Sequence, residues 1–306
     1  MNWFYLALVP PLLFSMVNHF DKYLVQRFFK GAGVGAVLIF SALVGVVAAI
    51  PIALFVPAVF DLSAWQSALI VANGFLYLLA SLPYFYALAK DEASVVIPFF
   101  QLIPFFILLF GFVLLGESID RNSFIGGLLI VFGAVLISLE LTHKKVRLKQ
   151  SVLWLMVLSS ALFALNFVLF KNFAIETTFW VTSFWEYLGF TLFGLLALAL
   201  IKPYRREFLL VFNQNKTTVL TVNIINEAIG LAAKATFNFV TLLAPIALVS
   251  FLGGLQPLFV LVIGTGLTIL FPKLSREKID VGHMGQKVVA IGVIILGVWL
   301  LNFANQ

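Results

Sequence analysis

The sequence predicts an all-α polytopic membrane protein in which ten transmembrane helices form two inverted five-helix repeats. Of its 306 residues, 62% are hydrophobic and only 10% are charged, compared with about 25% charged residues in soluble domains. Apolar stretches of about 20 residues, the length that crosses a bilayer as a helix, recur from one end of the chain to the other. Similar residues also return at a constant offset in the two halves, which indicates an internal repeat.

The apolar stretches define ten expected spans separated by short loops, as is typical of antiparallel neighbours in a helical bundle. The first stretch, MNWFYLALV, has no basic segment before it and no small-residue cleavage site, so it is interpreted as a span and not as a signal peptide. The expected spans are Trp3–Leu24, Gly33–Val56, Trp65–Leu88, Ser94–Leu115, Phe124–Leu141, Val152–Phe170, Phe179–Ile201, Thr218–Leu243, Ile246–Phe271 and Val288–Phe303.

Several classes of function are disfavoured by what the sequence lacks. It has no cysteine, hence no disulfide, thiolate nucleophile or Cys metal site. Of its three histidines only His19 lies in a span, so we expect no metal site. The sequence contains neither a Walker A nor an HExxH motif, so we expect no cofactor. The isoelectric point near 9.5 reflects basic loops, so we expect a small-molecule substrate and the lipid bilayer as partners, and no nucleic acid. Monomer and homodimer both remain open.

The basic residues predict an orientation in the membrane. The loops after odd-numbered spans hold 16 of the 19 Lys and Arg residues, and basic loops remain in the cytoplasm. We therefore expect a multi-pass protein of the cell membrane with both termini on the non-cytoplasmic side.

The repeat is visible by direct comparison of the two halves. An offset of 153 residues places Asn73 on Asn226, Val96 on Val249 and Pro104 on Pro257. Because five spans per half is an odd number, the second half must enter from the opposite side of the membrane. The predicted repeats are residues 1–142 and 150–304, with a site near the midplane between them.

The residues that carry the repeat also carry a family resemblance. The stretch YFYALAKDEASVVIPFFQLIPFFILLFGFVLLGE, followed by FIGGLLIVFGAVLI, resembles the EamA domain of the drug/metabolite transporter superfamily. FNFVTLLAPIALVSFLGGLQPLFVLVIG, with IGVIILGVWLL, resembles a second copy. The resemblance implies a ten-helix transporter that moves small metabolites by alternating access through a central cavity. Many relatives have basic loops after even-numbered spans and cytoplasmic termini, which is the opposite of the orientation that the charge count favours here.

Polar residues inside spans are the candidate site, because they are costly in a bilayer and usually face a cavity or a partner. Asn223, Glu227, Lys234 and Asn238 fall within an arc of roughly 60° on span 8. Glu227 and Lys234 are about 10 Å apart along the axis, which is too far for a direct bond. They either bracket a zwitterion or anion, or each satisfies a structural partner.

The remaining candidates come from other spans. Asn73, Tyr77 and Gln101 are expected opposite span 8 as further substrate-binding residues. Glu186 in span 7 and Glu227 are proton-coupling candidates, since a buried carboxylate without a cation favours its protonated form; alternatively, Glu186 lies near the headgroups. Lys22 and its repeat counterpart Lys171 either flank the cavity entrance or extend to the membrane interface.

The expected function is therefore a secondary transporter, an exporter or facilitator, of small polar metabolites such as amino acids. No catalytic residues are expected. The alternative is a non-transporting membrane sensor or an intramembrane enzyme, which would need a nucleophile with its base, or metal ligands, converging from several spans.

Overall fold

Every regular element is a helix in the residues that the computed structural model describes, which are 3–27, 34–90, 96–138, 150–214, 216–270 and 284–303. Seven helical segments are long and apolar enough to cross a membrane, and two shorter apolar helices accompany them. The expected class, an all-α multi-pass membrane protein, is confirmed. The seven segments are Trp3–Asp21, Val34–Phe55, Ala64–Lys90, Ile97–Leu115, Gln150–Glu176, Phe179–Leu200 and Ile246–Gly266.

The described ranges contain fourteen α-helices, and all of them except the tenth overlap an expected span. They are α1 Trp3–Ala7, α2 Val9–Arg27, α3 Val34–Leu43, α4 Gly45–Phe55, α5 Ala64–Lys90, α6 Ile103–Leu115, α7 Arg121–Ser138, α8 Gln150–Glu176, α9 Phe179–Leu200, α10 Lys202–Gln214, α11 Lys216–Thr241, α12 Ile246–Leu252, α13 Gln256–Leu270 and α14 Met284–Phe303. Three short 3-10 helices lie at Pro57–Phe60, Ile97–Leu102 and Gly253–Leu255.

Two of the spans contain a 3-10 segment. The fourth begins as the 3-10 helix Ile97–Leu102 and continues as α6, with Pro98 and Pro104 in the first turns, where a missing N–H removes no helix bond. The ninth is interrupted by the 3-10 helix Gly253–Leu255. At the first of these segments the Phe99 carbonyl accepts a 3.2 Å bond from Ser160 Oγ, so a neighbouring helix satisfies this backbone group.

Helix α10 corrects the expectation that residues 202–216 form a loop. Its apolar side is held on α3, where the Phe208 and Phe40 rings lie 4.7 Å apart and Glu207 Oε2 accepts a 2.9 Å bond from Gly35 N–H. The exposed residues of α10 include Lys202 and Arg206, together with Leu209 and Leu210. The composition is charged overall, so hydropathy along the chain does not reveal a helix that buries only one face.

The helices form a bundle in which pairs far apart in sequence pack together. The most extensive contacts join α7 with α14, α5 with α8, α5 with α9 and α2 with α11. Antiparallel succession puts the C-terminal ends of α5, α7 and α9, the N-terminal ends of α8 and α11, and α10 on one side, which we call the basic side. The loops at 56–63, 116–120, 177–178 and 242–245 lie on the other, the far side.

Candidate functional site

Four polar side chains from four helices meet inside the bundle, and we call them the buried tetrad: Asn73 of α5, Asn166 of α8, Glu186 of α9 and Lys234 of α11. Each is at most 2% exposed. Lys234 Nζ lies 3.1 Å from Glu186 Oε2 and donates to Glu186 Oε1 at 3.2 Å. It also lies 3.3 Å from Asn166 Oδ1. The tetrad therefore neutralises its two charges internally.

Two asparagines complete the tetrad by bonding to Glu186 and to each other's helix. Asn73 Nδ2 and Asn166 Nδ2 both donate to Glu186 Oε1, at 3.1 and 2.9 Å. Asn166 Nδ2 also donates to the Asn73 carbonyl at 2.9 Å, and Asn73 Nδ2 donates to the Asn166 carbonyl at 3.3 Å. A carboxylate in a dry interior is stable only with such partners. Glu186 lies well inside α9, so the headgroup alternative for it is wrong.

Close helix contact at two glycines positions the tetrad. A Cβ on Gly74 of α5 would collide with the Glu186 carbonyl, and a Cβ on Gly189 of α9 would collide with the Val71 carbonyl. Both neighbours are backbone atoms that have no rotamer to change. Glycine at both positions lets α5 and α9 approach closely enough for Asn73 to reach Glu186.

Aromatic rings surround the Lys234 ammonium on its remaining sides. Its Nζ lies 4.7 Å from the centroid of the Tyr77 ring, 5.1 Å from that of Phe167 and 5.5 Å from that of Phe170. The negative faces of the rings attract a cation at such distances. The ammonium is therefore stabilised by rings as well as by Glu186.

A cavity of about 160 Å³ begins at Lys234 and extends along the halves of α2, α3, α5 and α11 that lead to the basic side. We call it the polar cavity. Its charged lining residues are Asp21, Glu227 and Lys234. Asp21 Oδ1 accepts a 2.7 Å bond from Asn226 Nδ2, and Glu227 Oε1 accepts a 2.5 Å bond from Ser41 Oγ.

A second cavity of about 150 Å³ adjoins the first, because Phe14, Tyr77 and Phe163 line both. We call it the apolar cavity, since proline, phenylalanine and aliphatic side chains form most of its wall. Its polar lining residues are Gln101, Ser250 and Gln256. It reaches the two helix breaks at Ile97–Leu102 and Gly253–Leu255.

On the far side, a second ion pair, between the buried Lys171 and the partly exposed Glu117, joins three chain segments. Lys171 of α8 pairs with Glu117, which follows α6, and Lys171 Nζ donates to the Ala244 carbonyl at 2.9 Å. Glu117 Oε2 accepts a 2.7 Å bond from the N–H of Ile246, at the start of α12. We call this arrangement the far-side lock, since one lysine and one glutamate hold together the ends of α6, α8 and α12.

The structure distributes the predicted site residues over these features. Glu227, Lys234, Tyr77 and Gln101 line a cavity, whereas Asn73 and Glu186 belong to the tetrad. Lys171 lies in the far-side lock and lines neither cavity. Asn223 and Asn238 are also buried and line neither cavity. The side chain of Lys22 lies outside the described part of the chain.

The expectation that Lys234 and Glu227 form one charge pair across a ligand needs correction. Lys234 is engaged by Glu186, since a buried ammonium takes the nearest carboxylate and that carboxylate comes from another helix. The suggestion that Glu186 has no cation partner is wrong for the same reason. His19 Nε2 lies within hydrogen-bond distance, 3.2 Å, of the Val260 carbonyl.

Asp21, Ser41 and Glu117 were missing from the predicted site. Asp21 stands beside Lys22 near the end of a span, so it was indistinguishable from an interfacial residue. Ser41 is a single small hydroxyl in an apolar helix, and Glu117 falls in a loop. The bonding partner of Asp21, Asn226, could have been suspected from the sequence, because it is the counterpart of Asn73 at the repeat offset.

Three comparisons with known proteins place this geometry in context. The model of the EamA-like transporter family matches residues 1–139. No curated protein matches the chain. A solved structure described as "Crystal structure of protein" superposes with a TM-score of 0.72 at 14% identity, covering 99% of this chain and 96% of that one. At this identity the likeness concerns the fold, which the two chains share over nearly their full lengths. The resemblance seen in the sequence is confirmed for residues 1–139, which match the model of the EamA-like transporter family.

Proposed function

We propose that the protein is a secondary transporter of the drug/metabolite type that moves small polar metabolites, such as amino acids, by alternating access. The observation that carries the proposal is the pair of adjoining cavities inside a bundle of apolar helices. They are lined by helices from both halves of the chain, including α2 and α5 from the first and α8 and α11 from the second. Midplane sites of this kind are typical of secondary transporters.

Helix packing supports two inverted repeats, residues 1–142 and 150–304. If each span exchanges with the span five later, the pair α2 with α11 should correspond to the pair α8 with α5, and both pairs pack extensively. Likewise the contact of α6 with α8 corresponds to that of α13 with α2. The contact of α7 with α14 corresponds to itself. This agreement between independent helix pairs supports the proposed ten-helix arrangement.

One helix pair departs from the symmetry between the two repeats, and this asymmetry supports alternating access. Helix α5 packs closely along α9, at Gly74 and Gly189. The corresponding contact, α11 with α3, is sparse among the described residues, and the polar cavity lies between these helices. The far side is therefore the closed side in this conformation. Transport requires the two contacts to exchange roles, so that α9 separates from α5 when α3 closes on α11.

The residue roles in this proposal follow from position. Glu227, Lys234, Tyr77 and Gln101 line the cavities and contact substrate, and Glu227 is the candidate for proton coupling because it faces the cavity. Asn73 and Glu186 act through Lys234 by holding its ammonium. Asn223 and Asn238 act by packing. Lys22 and Lys171 stand as candidates for the two ends of the pathway.

Transport is tested with the purified protein in proteoliposomes. Efflux of a preloaded radiolabelled amino-acid mixture is compared for the wild type, Glu227→Gln, Gln101→Ala and the control Glu176→Gln, whose carboxylate lies on the exposed face of α8. We expect flux above empty liposomes, loss of most of it in the first two variants, and normal flux in the control. Equal flux in all four proteins would refute the site, and flux no greater than in empty liposomes would refute the function for this substrate class.

A further inference from the structure

The side chains that line the polar cavity include more carboxyl groups than cations. Three charged side chains line it, and one of them, Lys234, is already paired with Glu186, which lies outside the cavity lining. Asp21 and Glu227 remain. Neither forms an ion pair within the described ranges. The other titratable groups on this wall, Tyr77 and Tyr84, are neutral phenols.

The bonds that Asp21 and Glu227 do make come from neutral groups. An amide N–H of Asn226 and the hydroxyl of Ser41 satisfy one oxygen of each carboxylate. Such donors orient a carboxylate but leave its charge in place. An anionic wall in a low-dielectric interior attracts a cation strongly and disfavours an anion.

An unsatisfied amide marks where a ligand group would bind. The side chain of Asn226 is 3% exposed, and its Oδ1 has no hydrogen-bond partner in the described residues. Asn18 Nδ2 on the facing helix also has none. Both asparagines line the polar cavity. Buried polar atoms without partners are uncommon in native structures, so a ligand with hydrogen-bonding groups fits this place.

The aromatic part of the wall is suited to the same charge. Phe14, Tyr77, Phe163 and Phe190 line the polar cavity, and the Tyr77 ring already has one ammonium, that of Lys234, over its face. Rings and carboxylates together form the usual receptor for an organic cation. Three of these rings continue into the apolar cavity, which would receive the uncharged part of such a ligand.

We propose that the polar cavity binds an organic amine of net positive charge, with its ammonium between Asp21 and Glu227 and its apolar part directed into the apolar cavity. This assignment rests on the proposed transport function and names cationic amines, in place of zwitterionic amino acids, as its substrate class. A cavity of about 150 Å³ holds a benzene-sized group. The occupant is therefore small, with roughly one six-membered ring or its aliphatic equivalent in the apolar part.

Four probes with a shared phenyl group separate the alternatives: 2-phenylethylamine as cation, phenylalanine as zwitterion, 3-phenylpropanoate as anion and 2-phenylethanol as neutral compound. Binding to the full-length protein in detergent is measured by isothermal titration at neutral pH. The variants are Asp21→Asn, Glu227→Gln and their combination. Asp61→Asn, which removes an exposed carboxylate from a loop, is the matched control.

We expect the amine to bind most tightly, at least roughly tenfold above the zwitterion and the anion, and each cavity variant to weaken it by roughly tenfold or more. The control should bind as the wild type does. A preference for the zwitterion or the anion, amine binding unchanged in the double variant, or no saturable amine binding at millimolar concentration would each overturn the proposal.

A direct-flux assay separates this inference from the function on which it rests. If the amine binds as expected but proteoliposomes accumulate none of it, transport fails while the cavity assignment holds. If instead the zwitterion is transported in a manner that depends on Glu227, and the amine neither binds nor competes, the transporter proposal holds and the cation assignment fails. Circular dichroism and gel filtration of each variant confirm that lost binding is not lost folding.

Discussion

Glu186 and Lys234 form an ion pair with 3.1 Å between Oε2 and Nζ, although both side chains are almost completely excluded from solvent. Removing one partner leaves the other charge buried without compensation, which typically costs about 3–5 kcal/mol. We expect Glu186→Gln and Lys234→Met each to lower the thermal unfolding temperature in detergent strongly. The double variant Glu186→Gln/Lys234→Met should be less destabilised than either single variant.

The control for this cycle is Glu176→Gln, which removes a carboxylate from the exposed end of the helix that carries Asn166. It should change stability little. Additive effects of the two tetrad substitutions would contradict the pairing. The same destabilisation affects transport assays, because Lys234→Ala would lower transport through lost folding as well as through lost binding. Glu227→Gln leaves the ion pair intact and therefore tests the cavity alone.

The glycine contact between α5 and α9 predicts sensitivity to a single methyl group. Gly74→Ala places a Cβ against the Glu186 carbonyl and 3.0 Å from the Gly189 Cα, so the helices must separate. Overpacking of this kind costs about 1–3 kcal/mol, measurable as a lower unfolding temperature. Gly292→Ala is the control, because a Cβ there meets nothing within 4 Å. Equal stability of the two variants would show that α5 and α9 are not held this closely.

The far-side lock predicts which side of the apolar cavity is closed. Because the protein has no cysteine of its own, Ser250→Cys in the cavity wall provides one labelling site. In Ser250→Cys/Lys171→Ala we expect faster modification by a membrane-impermeant maleimide from the far side than in Ser250→Cys alone. The exposed Lys202 provides the control substitution Lys202→Ala. Equal labelling rates with and without Lys171→Ala would contradict the role of this ion pair in closing the far side.

The orientation that the charge count favours is tested with single cysteines on opposite sides. Asp61→Cys lies in a far-side loop and Arg206→Cys on α10 at the basic side, and both positions are exposed. We expect an impermeant maleimide to label Asp61→Cys in intact cells, and Arg206→Cys only after permeabilisation. The reverse pattern would place both termini in the cytoplasm.

Asp120 predicts a pH-dependent contribution to stability at the start of α7. Its Oδ1 accepts bonds from the N–H groups of Asn122 and Ser123, at 2.8 and 3.0 Å. Bonds from the Ser123 side chain and backbone hold the pKa of this carboxyl below its ordinary value. The stabilisation is therefore complete above the unfolded-state pKa near 3.9 and is lost as the pH falls through the lower folded-state value.

For Asp120→Ala we expect a loss of about 0.5–2 kcal/mol at neutral pH, as for other N-cap residues. The difference from the wild type should shrink as the pH falls below about 4. Unfolding midpoints in denaturant, recorded across this range, measure it. A difference that stays constant with pH would contradict the ionic contribution of the cap.

The positions of the membrane helices could be predicted because hydropathy depends on each stretch separately. The predicted span Phe179–Ile201, for example, differs by one residue from α9. The contacts within the site were harder to predict. The residues that pair there come from different helices, and no local sequence pattern reveals how those helices are rotated relative to one another. Lys234 was compared with Glu227, seven residues away on its own helix, whereas its partner Glu186 lies 48 residues earlier in the chain.

The reciprocal bonds between Asn73 and Asn166 limit how the bundle can move. Each amide donates to the other helix's backbone carbonyl, so sliding α5 along α8 by a single residue, about 1.5 Å, would break both bonds together. We therefore expect the two helices to move as one rigid unit. Any rearrangement that admits solvent from the far side must bend the protein elsewhere, and the 3-10 segments at Ile97–Leu102 and Gly253–Leu255 are the natural hinges.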